Sequence, residues 1–184
     1  GIIGINAGLF KHSDNEAQFA SVVSHELAHL SQRHFARQIL ENSDRSNASM
    51  ATILASIVVA VTTRSPAAIL GGQGLLASQQ LRFSRLYETE ADREGFITLK
   101  KSGYDTNEMV EMFKNMQELR RLSGDNIPEF LLTHPITTRR ITESRERARE
   151  SDGGTIDSLN FRLIKQRVKF LMTDNLSIRA FEKE

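Results

Sequence analysis

The residues best suited to chemistry lie between Ser24 and Arg33, in the run Ser-His-Glu-Leu-Ala-His-Leu-Ser-Gln-Arg. His25, Glu26 and His29 form an H-E-x-x-H motif. Residues four apart on a helix share a face, one turn apart, so both imidazoles can point at one metal ion. Glu26 then stands beside the first ligand, where it can act as general base towards a water held at the metal. Two packed histidines flanking a surface Glu give the same letters by chance. The motif therefore needs a helix and a third ligand.

The chain has no cysteine, which excludes disulfides and thiolate zinc sites and leaves His and carboxylate as zinc donors. One H-E-x-x-H arrangement takes its third ligand as H-E-x-x-H-x-x-G-x-x-H. Here Gln32 stands at the Gly position and Phe35 at the third His position. His34 lies about 180° from His25 on a continuous helix and reads as a surface or packing histidine. A Glu from a second helix is the alternative. The stretch Tyr87-Glu88-Thr89-Glu90-Ala91-Asp92 offers three acids. Glu88 and Asp92 share a helical face, whereas Glu90 points about 200° away from Glu88. Metal-bound His usually donates its other N–H to a carboxylate. Glu88 as ligand with Asp92 as support meets both needs; Glu90 as ligand would leave Asp92 without a role. By itself, the stretch reads as an exposed acidic face with Arg82, Arg85 and Arg93 as partners.

Helices must carry both motifs. Ser13 and Glu16 predict a capping box, and Phe19, Val22, Val23, Leu27 and Leu30 an apolar stripe on a long helix to about Glu41. Asn42 to Asn47 is polar and predicts a break. Ala48 to Val61 is apolar on nearly every side, and at 14 residues too short to span a bilayer. It reads either as core or as an exposed apolar cover beside the active site. Thr62 to Pro66 predicts a turn, and Gly71-Gly72-Gln73-Gly74 a flexible break. A second long helix is expected from about Leu75 to Lys101, ended by Gly103. Asp105 and Glu108 mark the next cap, with Met109, Val110, Met112, Phe113 and Met116 facing the core. Ser123 to Thr138 reads as a loop holding Pro128, His134 and Pro135. Thr138 is expected to cap a charged helix to Glu150. Leu159 to Met172 reads as a last amphipathic helix before a linker from Asp174. Ile2, Ile3 and Ile5 suggest a strand, continued through Ala7 to Phe10, whose partner is expected from residues upstream.

The fold class is thus mainly α with a small β element at the N-terminus. At 184 residues one main domain is expected, over 1–150, with 151–184 a C-terminal helix and linker. A net charge of +1 argues against a nucleic-acid partner.

H-E-L-A-H with S-Q-R-H-F-A-R, then E-T-E-A-D-R-E-G, then L-L-T-H-P-I-T-T-R-R-I, occur in that order. In these motifs the chain resembles the BepA-like periplasmic zinc metalloproteases, in the wider group that includes HtpX and the type I CAAX prenyl proteases. The upstream N-A-G-L-F-K-H-S-D-N-E-A-Q is similar too, and the likeness runs from Gly1 to about Arg149. It implies a zincin-type domain with one zinc ion per chain on His25, His29 and Glu88. It implies Glu26 as general base, Asp92 as supporting acid, and His134 on a loop close to the metal. It also implies a periplasmic setting, protein substrates, a link to the outer-membrane assembly machinery, and a helical repeat array after the protease domain.

The expected activity is peptide-bond hydrolysis in envelope protein quality control. The oxyanion needs a donor besides zinc, which His134 or Arg140 can supply. A His134 that ligates zinc instead closes the site, and the resemblance favours that latent state. Two other readings are a zinc-stabilised chaperone or docking module, and a membrane-surface contact through 48–80.

Overall fold

The computed structural model describes residues 4–63, 67–124 and 134–181, with side chains at all of these except 42–49, 68–69, 72–83 and 174–181. The described chain is mainly helical. Its elements are α1 (Ala7–His12), α2 (Glu16–Ser31), α3 (His34–Thr63), α4 (Ala67–Lys101), α5 (Asn107–Leu122), α6 (Thr138–Ala148) and α7 (Leu159–Phe181). Among the described residues there is no strand, and one isolated parallel bridge joins Tyr104 and Thr155. Ile2 and Ile3 lie outside the described residues. The expected continuation of their strand is helical instead, because Asn6 Oδ1 accepts from the Gly8 N–H at 2.7 Å and starts α1.

Several boundaries differ from expectation. Asn15, not Ser13, caps α2: its Oδ1 accepts from the Gln18 N–H at 2.9 Å, while the Ser13 hydroxyl donates to Leu9 O. The single helix expected to Glu41 is two helices. Arg33 adopts φ +54°, α2 stops at Ser31, and α3 starts at His34. Neither Gly nor Pro marks this break, so the apolar period does not reveal it. Asn42 to Asn47 stays helical within α3. Residues 64–66 of the expected turn lie outside the described residues. The α4 helix starts at Ala67 and passes through Gly71 to Gly74 unbroken. Its end is as expected, with Gly103 at φ +79° and the Tyr104 N–H donating to Leu99 O at 3.3 Å. Asp105 Oδ1 accepts from the Asn107 N–H at 2.9 Å and leads into α5. Thr137, one residue before Thr138, caps α6. The α7 helix runs on through the expected linker to Phe181.

The chain divides into two compact units, Gly1–Ala28 with Ala91–Glu184, and His29–Glu90. The core of the first gathers Leu9, Phe96, Leu99, Ile136 and Ile141 around the five expected α5 side chains, Met109, Val110, Met112, Phe113 and Met116. Full burial of each such side chain contributes about 2 kcal/mol of transfer free energy. Phe10, Phe19 and Phe161 tie α1, α2 and α7 together, with ring centroids 4.5 to 6.0 Å apart.

In the second unit, Met50, Ile53, Leu54, Ile57, Val58 and Val61 of α3 are all exposed. Their spacing makes one apolar stripe along the helix. Plain core, one of the two readings of this segment, does not describe these side chains. No helix among the described residues is long and apolar enough to cross a membrane.

Candidate metal centre

The two sequence motifs sit on α2 and α4, and each helix passes from one unit into the other. On α2, His25 and His29 are one turn apart. On α4, Glu88 and Asp92 are one turn apart.

In the first unit, His25 Nδ1 lies 3.0 Å from Asp92 Oδ1, with both side chains buried. Arg140 of α6 donates from Nε and Nη2 to the two Asp92 oxygens, each at 2.7 Å. Its Nη1 donates to Pro135 O at 3.0 Å, and its guanidinium lies over the Phe113 ring. Burial alone would raise the Asp92 carboxyl. The hydrogen bonds from Arg140 and His25 outweigh it and hold that carboxyl below the usual carboxylate range. A charged Asp92 accepts from His25 Nδ1–H, which orients the ring and puts its lone pair on Nε2. The guanidinium, one of two candidate oxyanion donors beside His134, is engaged with Asp92 and Pro135.

The approach of α4 to α2 depends on Gly95. A Cβ there would stand 3.0 Å from His25 Cα and 3.1 Å from His25 N. Sequence reasoning missed this residue as a determinant of the site. Its signal is an isolated Gly inside a strong helical pattern.

His134 also belongs to the first unit. Its Nε2 is 3.6 Å from Glu26 Oε1, and its ring meets the His25 ring edge-on with centroids 5.3 Å apart. A cleft of about 340 Å³ opens here, lined by Val22, His25, Glu26, Phe113, Met116, His134, Ile136 and Arg140. Its wall is mostly apolar, with the proposed base on one side. Pro128, Phe130, Leu131 and Leu132 lie outside the described residues.

In the second unit, His29 Nε2 is 3.3 Å from Glu88 Oε1. The other His29 nitrogen, Nδ1, is 2.9 Å from His34 Nδ1. His34 Nε2 in turn is 3.1 Å from Glu90 Oε2, which also accepts from Arg37 Nη1 at 3.0 Å. The His34 ring is buried and stacks on Tyr87 with centroids 4.7 Å apart. Burial pushes the His34 imidazole below its ordinary range despite its bond to Glu90. For Glu90, burial acts upward, but Arg37 and His34 prevail and hold it low. His34 is the packing histidine of the sequence reading, yet it does not face away. The turn at Arg33 brings it back beside His29.

His25 and His134 of the first unit, and His29 and Glu88 of the second, are groups that could hold a metal ion. Imidazole and carboxylate, without a thiol, are donors of the kind that divalent metals such as zinc accept.

The comparisons fit this chemistry. Residues 1–148 match peptidase family M48, and the chain belongs to that family. As a member of a metallopeptidase family it requires a metal. It is 34% identical over 173 residues, 91% of its length, to the beta-barrel assembly-enhancing protease of Yersinia pestis, and covers 35% of that protein. It is 40% identical over 152 residues to a Vibrio cholerae protein provisionally given the same name, 82% of this chain and 31% of that one. It is 30% identical over 135 residues to the mitochondrial metalloendopeptidase OMA1 of Arabidopsis thaliana, 73% of this chain and 25% of that one. The chain spans about a third of the length of the curated relatives it matches.

Proposed function

We propose that the chain is the catalytic part of a zinc-dependent endopeptidase, with His25, His29 and Glu88 holding one zinc ion and Glu26 as general base. The observation that carries this reading is the pairing of His29 Nε2 with Glu88 Oε1 at 3.3 Å, with His25 one turn earlier on the same helix. Residues 1–150 form the peptidase domain in this reading, and 151–184 a helix leading towards a repeat domain.

Zinc, when bound, acidifies a water and polarises the scissile carbonyl. Glu26 takes the proton from the attacking water and hands it to the leaving amine. The apolar side of the cleft, Val22, Phe113 and Met116, receives the substrate chain and excludes bulk water. His134 would either join the residues that hold the ion, which would keep the enzyme latent, or swing aside and donate to the oxyanion. Arg140 acts through Asp92, by holding it charged beside His25.

The substrates are misfolded or stalled envelope proteins, and the setting is the periplasm beside the outer-membrane assembly machinery. The names of the bacterial relatives support this. The exposed apolar stripe over residues 50–61 of α3 supports the reading of the 48–80 segment as a membrane-surface contact.

The deciding experiment pairs elemental analysis with casein hydrolysis, with and without a chelator. About one zinc per chain and chelator-sensitive cleavage are expected. Bound zinc without cleavage, retained in His134→Ala, favours the second reading, a zinc-stabilised docking module. That reading rests on the position of His134 among the groups that could hold the metal.

A further inference from the structure

We propose that residues 154–165 form a strap that positions the motif-bearing helix α2, with Lys165 and Asp157 as its positioning residues. The inference rests on the reading of His25 as a ligand and Glu26 as the base. It adds a segment that lies beyond the residues matched by the peptidase family, 1–148.

The start of α2 carries it. An α-helix leaves its first backbone N–H groups without partners inside the helix, and the residue just before it usually caps one of them. In α2 this local supply is only part of the whole. Asn15 Oδ1 serves the Gln18 N–H, but the Ala17 N–H donates to Ile156 O at 2.9 Å and the Glu16 N–H to Asp157 Oδ1 at 3.2 Å. Just ahead of the helix, the Lys165 ammonium of α7 donates to Ser13 O and to Asp14 O.

The strap is itself anchored at both ends. The Thr155 N–H donates to Gly103 O at 2.8 Å, and the Thr155 carbonyl accepts from the Asp105 N–H at 3.1 Å. Gly154 permits this approach, since a Cβ there would stand 2.5 Å from Tyr104 C and 2.6 Å from Asp105 N. At the other end, Phe161 is buried against Phe10 and Phe19. Tyr104 ties the turn back to α2, its hydroxyl donating to Glu16 Oε1 at 3.0 Å. All of these residues belong to the first unit.

A helix transmits such a constraint because its rise and twist are fixed. Phe19 and Glu26 are seven residues apart, two turns along one face and about 10 Å along the axis. Gln18 stands in the same relation to His25. A shift of the first turn is therefore carried to both functional side chains. A displacement of about 1 Å at a reacting group can cost about 10²-fold in rate.

The test uses the full chain. Lys165→Met keeps the aliphatic stem and removes the donors, Lys165→Arg keeps donors, and Asp157→Ala removes the acceptor for Glu16. Lys169→Met, one turn further along α7 and exposed, is the control. Amide hydrogen exchange is followed in the zinc-free protein, and kcat and KM for casein in the zinc-loaded protein, both well below melting. In Lys165→Met the α2 amides from Glu16 to Glu26 should exchange about tenfold faster or more, the scale of a lost hydrogen bond to a charged group, while α6 keeps its protection. The kcat should fall about tenfold or more with KM little changed. Lys165→Arg should restore most of both, Asp157→Ala should act in the same direction as Lys165→Met, and Lys169→Met should change neither. A role confined to stability predicts a lower melting temperature, faster exchange in α2 and α6 alike, and an unchanged kcat. That result, or no change in Lys165→Met and Asp157→Ala, would overturn the proposal. If the wild type shows no chelator-sensitive hydrolysis, the peptidase reading fails, while exchange in the zinc-free protein still decides whether the strap holds α2.

Discussion

Arg140 grips Asp92 at two points, with Nε and Nη2 each 2.7 Å from a different carboxylate oxygen. Both side chains are buried, and the same carboxylate stands 3.0 Å from His25 Nδ1. A buried carboxylate without its cation is costly, so Arg140→Leu should destabilise the fold by about 3–5 kcal/mol. Arg140→Lys should recover only part, since an ammonium cannot make the planar two-point contact. Urea unfolding of the chelated protein checks both. The pH dependence has a definite sign. The folded Asp92 carboxyl sits below its unfolded value. Its contribution is complete above the unfolded pKa of about 3.9 and is lost as pH falls through the lower folded value. Melting temperatures between pH 2 and pH 6 should show a steeper acid decline in wild type than in Asp92→Asn. Parallel curves would mean that Asp92 titrates normally.

Glu26 is not one of the three proposed ligands, and its carboxylate lies 3.6 Å from His134 Nε2 on the wall of the cleft. Glu26→Gln should therefore keep zinc near one per chain while casein hydrolysis falls by about 10² or more. A Gln variant that cleaves at the wild-type rate would remove Glu26 from the base role.

Glu88 and Glu90 are two residues apart on α4 and meet different partners, His29 and His34 respectively. Glu88→Ala should abolish tight zinc binding. Asp92→Ala should weaken it by roughly 10- to 100-fold, because it acts through His25, and Glu90→Ala should weaken it much less than Glu88→Ala. Competition with a zinc indicator ranks the three. Equal retention in Glu88→Ala and Glu90→Ala would withdraw Glu88 as a ligand.

Much of this site was legible because helical spacing is rigid. His25 with His29, and Glu88 with Asp92, follow from four-residue separations, and the face argument kept Glu90 apart from Glu88. The errors arose where backbone conformation departs from the regular helix without a Gly or Pro to announce it. Arg33 is the example. Its left-handed turn reverses the predicted direction of His34, and with it hides the contact to His29. The opposite error occurred at Gly71 to Gly74, where three glycines suggested a break and α4 continues. Glycine lowers helix stability by about 1 kcal/mol but does not forbid the conformation. Arg140 was visible as a nearby cation. Its partner was not, because the Asp92 contact joins residues 48 apart in the chain.

Gly95 makes a separate prediction about the scaffold. A methyl group there would meet the backbone of Ser24 and His25 at 3.0–3.2 Å, and backbone cannot rotate away as a side chain can. Gly95→Ala should cost about 1–3 kcal/mol by overpacking, despite the better helix propensity of alanine. It should also weaken zinc binding, since the shift falls on His25. Gly71→Ala, where a Cβ meets nothing within 4 Å, is the control and should be neutral or stabilising. If the two variants melt alike, the close approach at Gly95 is not limiting.

His134 gives the prediction with the most consequence for regulation. Pro135 follows it and restricts its backbone to extended conformations, which limits where the imidazole points. The ring is half-buried, edge-on to His25 and 3.6 Å from Glu26. From that position two roles differ in sign. As a ligand at the open coordination position, His134 excludes the water that Glu26 must deprotonate, and its removal leaves three ligands and an unblocked site. His134→Ala should then gain casein hydrolysis and keep its zinc. As an oxyanion donor, His134 acts only in the transition state, and its removal should lower kcat by about 10²-fold or more with little change in KM or zinc content. The expected outcome is the gain. His134→Asn sharpens the contrast, because an amide can donate to an oxyanion but ligates zinc poorly. A blocking role predicts that Asn behaves like Ala, whereas a donor role predicts that Asn recovers part of kcat. Zinc content measured beside kcat in both variants separates these outcomes, and unchanged kinetics in both would return His134 to packing its loop.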